Sequence, residues 1–94
     1  MTRVDLVYDP DCPNVDKARE ALREAIAALG GVPSWAEWRA GDPDAPARTR
    51  GYGSPTVLVG GQDVTGQGPG DPGTCRLEAP RVEQIIAALR RRAA

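Results

Sequence analysis

Two cysteines and no histidine define the side-chain chemistry open to this chain. Cys12 sits in Tyr8-Asp9-Pro10-Asp11-Cys12-Pro13-Asn14, and Cys75 in Gly73-Thr74-Cys75-Arg76. Without histidine there is no Ser-His-Asp or Cys-His nucleophile pair and no imidazole metal ligand. Thiol chemistry remains: disulfide exchange by a thiolate, or capture of a soft ion such as Hg(II) or Cu(I) by two thiolates. Cys12 falls between a strand-like run and a helical pattern. The unpaired N–H groups and dipole of a first helical turn stabilise a thiolate, so Cys12 is expected to be the more reactive thiol. Asp9 and Asp11 oppose that effect. Arg76 would favour the Cys75 thiolate by charge. The alternative for Cys75 is a loop cysteine unrelated to Cys12.

The elements that must position these residues follow from the patterning. Val4-Asp5-Leu6-Val7-Tyr8 reads as a strand. Asp9 to Pro13 breaks it, and Pro13 suits the first helical position. Val15, Ala18, Leu22, Ala25, Ile26 and Leu29 then recur on one helical face, predicting a helix over 14–30 closed by Gly30-Gly31. Val32 to Arg39 reads as a second strand, and Pro33 near its beginning favours an edge position. Gly41 to Tyr52 is a polar loop with room for one helical turn. Pro55 to Val59 is a strand, and Gly60-Gly61 before Gln62-Asp63-Val64 is a hairpin turn. Gly66 to Gly73 is a surface loop. Val82, Ile85, Ile86 and Leu89 predict a last helix over 80–92, with Arg90-Arg91-Arg92 at the end where positive charge suits the dipole. The β-α-β, then β-β-α order implies a parallel strand pair followed by a hairpin and a helix: an α/β domain with a four-stranded mixed sheet. A ferredoxin-like fold would need a further strand after the last helix.

Two motifs carry a family resemblance. The Tyr8–Asn14 segment after a strand, followed later by Gly53-Ser54-Pro55-Thr56-Val57-Leu58-Val59-Gly60-Gly61, resembles the thioredoxin/glutaredoxin superfamily. It is most similar to small bacterial thioredoxin-like proteins, some associated with mercury-resistance genes and alkylmercury lyase. The resemblance implies a thioredoxin-like fold (β-α-β-β-β-α). It also implies that Cys12 is the attacking cysteine of a C-x-x-C and that Pro55 is a cis-proline facing it. Ser54 would then offer backbone groups to an extended thiol-bearing ligand. The Gly60-Gly61 turn and Asp63 resemble a hairpin beside a glutathione site. The chain departs from the pattern at Val15, which replaces the second cysteine. Either Cys12 works as a monothiol with an external partner such as glutathione, or Cys75 takes the second role.

Other residues are candidates for a site wall. Tyr8 precedes the Cys12 loop and Tyr52 precedes the proline loop, and packing is the alternative for both. Trp35 and Trp38 read as core and edge cover, with ligand platforms the alternative. Arg48 and Arg50 could bind a carboxylate or be solvated loop charges, and Asp42 and Asp44 read as loop charges.

Length and charge exclude other classes. The chain has 94 residues, which supports a single domain over 1–94. A net charge of -1 supplies no field for nucleic acid or anionic membrane. No segment approaches the roughly 20 apolar residues that span a bilayer, and the first residues lack a signal-peptide pattern. The cytoplasm is the expected compartment, where thiols are normally reduced and paired cysteines are reactive or metal-binding. The expected partners are a thiol- or disulfide-bearing protein or glutathione. Three functions stay open: thiol–disulfide exchange, soft-metal binding by Cys12 and Cys75, and a non-catalytic interaction module.

Overall fold

Val4, Leu6 and Tyr8 alternate with Asp5 and Val7, so the first strand has two different faces to cover. The computed structural model describes residues 2–70, 75–76 and 78–93. In it, β1 (Val4–Tyr8) is a central strand of a four-stranded mixed sheet. It pairs in parallel with β2 (Ala36–Arg39) and antiparallel with β3 (Thr56–Val59). β4 (Gln62–Asp63) pairs antiparallel with β3, giving the order β2-β1-β3-β4. Two helices complete the fold, α1 (Val15–Ala28) and α2 (Val82–Ala93).

Both helices belong to one apolar cluster. Leu6, Val57 and Val59 from the sheet meet Leu22, Ala25 and Ile26 of α1 and Ile85 and Ala88 of α2. Among the described residues, no aromatic ring belongs to the buried part of this cluster; Tyr8 and Trp35 pack at its margin. The alternate residues Asp5, Val7, Thr56 and Leu58 are also buried, and on their side Arg48 reaches Asp5 from a single 3-10 turn at Ala47–Thr49. Trp38 Nε1 donates to Asp5 at 2.9 Å, and Arg48 Nε donates to the other carboxylate oxygen at 3.0 Å. A charge taken wholly out of water needs such partners. Trp38 and Arg48, read from sequence as edge cover and as a ligand-binding or solvated charge, thus share one internal carboxylate.

The element order, the parallel first pair and the edge position of β2 agree with the sequence reading. Boundaries differ for local reasons. β2 begins at Ala36 rather than Val32, because Pro33 has no N–H to give a ladder. α1 begins at Val15 with Asn14 as its N-cap, so Pro13 lies in the preceding turn and not at the first helical position. The 60–61 hairpin turn needs positive φ at both residues, and Gly60 and Gly61 supply φ of 58° and 83°. The part of the expected 66–73 loop beyond Gly70 lies outside the described residues.

Candidate functional site

The turn after β1 holds Cys12 by backbone bonds. The Cys12 N–H donates to Asp9 O at 3.0 Å, and the Cys12 carbonyl accepts from Val15 N at 3.4 Å. Cys12 therefore sits two residues ahead of the N-cap Asn14, at the open end of α1. It is 7% exposed. Cys12 and Cys75 form a disulfide, with Cα atoms 5.6 Å apart and a sequence separation of 63. Cys75, unlike Cys12, is exposed.

Several contacts besides the disulfide seat Cys75. Ser54 and Cys75 form an isolated parallel bridge, and the Arg76 N–H donates to Ser54 O. Asn14 Nδ2 donates to Arg76 O at 2.8 Å. The Arg76 guanidinium enters the protein and pairs with Asp63 at 2.9 Å, the two side chains being 10% and 2% exposed. Arg76 Nη2 also donates to Gly68 O at 3.2 Å. Asp63 accepts further bonds from the Thr65 N–H and hydroxyl and from the Gly68 N–H. Burial alone would raise the Asp63 pKa. Arg76 and Thr65 outweigh that effect and hold it below the ordinary value. The Arg76 charge is thus spent on Asp63, and not on the Cys75 sulfur as its sequence position suggested.

Ser54 connects the two cysteine-bearing segments. The Ser54–Pro55 bond is cis, and both residues are buried. The Ser54 hydroxyl accepts the Asp9 N–H at 2.8 Å, and Cys12 Sγ lies 3.6 Å from Ser54 O. The backbone groups expected to receive an extended ligand are occupied by the chain's own Cys75 and Arg76.

Compared with known proteins, the chain matches no family model, no curated protein and no solved structure.

Two hollows flank the disulfide. On the Cys12 side is a groove of about 370 Å³ walled by Tyr8, Pro13, Asp11, Asp16 and Arg19. Arg19 lies over the Tyr8 ring, 5.4 Å from its centre, and is paired with Asp16 and Glu37. Arg19, against partial burial and with help from the Trp35 N–H, holds Glu37 below its ordinary pKa. On the Cys75 side a larger hollow of about 600 Å³ is lined by Thr65, Arg76, Glu78, Arg81 and Gln84 among others.

The structure therefore brings together Cys12, Cys75, Ser54, Pro55 and Tyr8. It places Tyr52 elsewhere, in a hollow with Arg39, Asp42 and Arg50. Arg50 donates to Pro43 O, and Asp42 accepts the Asp44 N–H. Sequence reasoning missed Asn14 and the Arg76–Asp63 pair as positioning elements. The signal present was the Arg next to Cys75, but its partner lies on the hairpin, and nothing local points there. Among the described residues, no group of three or more Cys, Asp or Glu could hold a metal ion, and no helix is long and apolar enough to cross a membrane.

Proposed function

We propose that this protein is a thioredoxin-like thiol–disulfide exchange protein whose redox couple is Cys12 and Cys75. The observation that carries this reading is the disulfide between the two cysteines, formed at the open end of α1 and beside the cis Ser54–Pro55 bond. Val15, where a C-x-x-C would place its second cysteine, is buried in the core side of α1. Cys75 supplies that second sulfur from the far end of the chain. The reaction is a two-electron exchange: the dithiol form gives two electrons and two protons to an external disulfide such as oxidised glutathione. The protein is left with its disulfide, and two external thiols are released.

The alternative for any disulfide is a staple that never turns over. The seating of Cys75 by Ser54, Asn14 and Asp63 argues for exchange, because those contacts keep the sulfurs adjacent when the bond is open. The experiment equilibrates the native chain in glutathione buffers of graded redox ratio. Free thiols are counted by alkylation and mass, and folding is followed by circular dichroism. Reversible titration of both thiols in a folded chain is expected. Reduction only in denaturant would sink the proposal.

A second reading uses the same adjacency. Reduced, Cys12 and Cys75 form a two-thiolate set for a soft ion. One Hg(II) bound per chain, lost in Cys12→Ser and in Cys75→Ser alike, is the expected result for that reading.

A further inference from the structure

Resting on the exchange reading, we propose that external thiols enter at Cys75, and that Cys12 is the buried sulfur that leaves and later resolves. The helix-start position of Cys12 and the family resemblance suggested the reverse. Three observations carry the assignment.

The first is access. Cys75 is exposed, whereas Cys12 is 7% exposed with its sulfur against the Ser54 carbonyl. Displacement at sulfur requires a thiolate to approach the attacked atom opposite the leaving sulfur. The rate depends on which sulfur can be reached and on how readily the other departs as thiolate. The second is the leaving group. Cys12 lies at the open end of α1, where the helix dipole stabilises a departing thiolate. The charge of Arg76, the residue next to Cys75, is engaged by Asp63. The third is charge along the approach. The Cys12 groove presents Asp11 and Asp16, and its one cation, Arg19, is already paired with Asp16 and Glu37. The Cys75 hollow carries Arg81 along with Glu78, and Arg81 pairs with an exposed Glu83 at 3.4 Å. An anionic thiolate is repelled less there.

The cycle balances. An external thiolate bonds to Cys75 Sγ, the S–S bond breaks, and Cys12 leaves with the electron pair as thiolate. A second external thiolate attacks the external sulfur of the mixed disulfide and releases Cys75 thiolate plus the external disulfide. In the oxidising direction Cys75 thiolate attacks the substrate disulfide and expels one external thiolate, and Cys12 thiolate then attacks Cys75 Sγ, expelling the second and closing the protein disulfide.

The test traps the intermediate in the unaltered chain. The oxidised protein is mixed with reduced glutathione, quenched early with N-ethylmaleimide, digested with trypsin without reductant and weighed. Cleavage at Arg3, Lys17, Arg50 and Arg76 places Cys12 in the 4–17 peptide and Cys75 in the 51–76 peptide. Glutathione on 51–76 with maleimide on 4–17 is the expected pattern. The opposite pattern overturns the inference and leaves the exchange reading standing. An early quench with no glutathione on either peptide, in a chain that stays folded and oxidised, overturns both. As an independent measurement, Cys12→Ser should react with Ellman's reagent at least about tenfold faster than Cys75→Ser. Equal rates in two folded variants would also count against entry at Cys75.

Discussion

Arg76 and Asp63 hold one another inside the protein, at 2.9 Å, with side chains 10% and 2% exposed. The residue next to an exposed cysteine is thereby fixed to the β-hairpin, and the cysteine with it.

The first prediction concerns that pair. Asp63→Asn leaves a buried guanidinium without its counter-charge and should cost about 3 kcal/mol of stability, measured by urea unfolding. The double variant Asp63→Leu/Arg76→Met should recover part of the loss, since neither charge is then stranded. A double variant no more stable than Asp63→Asn would argue against the ion pair as the cause.

Acid should act through the same carboxylate. Asp63 and Glu37 both titrate below their ordinary values of 3.8 and 4.5 in the folded chain. As pH falls, the unfolded chain therefore binds protons first. Their stabilisation is present above the unfolded values and is lost as pH drops through the folded ones. Unfolding free energy should decline below about pH 4.5, and the decline should be shallower in Asp63→Asn. An identical acid slope in the variant would contradict the assignment.

On the opposite face, Trp38→Phe keeps a ring at β2 and removes the donor to Asp5, which is 0% exposed. A loss of about 1–2 kcal/mol is expected for a hydrogen bond to a buried carboxylate, whose Oδ1 then keeps the longer bond from Arg48 Nη2 at 3.2 Å. Replacing a tryptophan that merely covered the sheet edge would cost far less.

The core is aliphatic, so its weak point is a leucine. Leu22→Ala on α1, at a site 0% exposed, should cost about 3 kcal/mol through lost burial and a cavity facing Leu6 and Ile85. Thermal unfolding would show it as a lower midpoint with the exchange chemistry intact.

Periodicity made the secondary structure legible. The stripe from Val15 to Ile26 located α1, the Val-Leu-Val run located β3, and Gly60-Gly61 located the hairpin. Cys12 was legible as the head of a helix because strand, turn and proline frame it within six residues. The long-range relations were not. Asp5 reads from sequence as one more strand position, and Arg48 and Trp38, brought over by the 3-10 turn and the β2 register, explain its burial. Cys75 was ambiguous for the same reason, since its neighbours in sequence say nothing of Ser54 or Asp63.

The cross-link also divides the chain into a ring and two tails. Residues 12 to 75 form a covalent loop that contains α1, β2, β3 and β4. β1 lies in the tail before it, and α2, beginning at Val82, in the tail after it. Opening the bond frees the root of that tail from its covalent anchor, leaving Arg76, Asn14 and the burial of Ile85 to hold it. Amide protons of α2 are therefore the natural reporters of oxidation state: they should exchange faster in the reduced chain, while those of α1 change less.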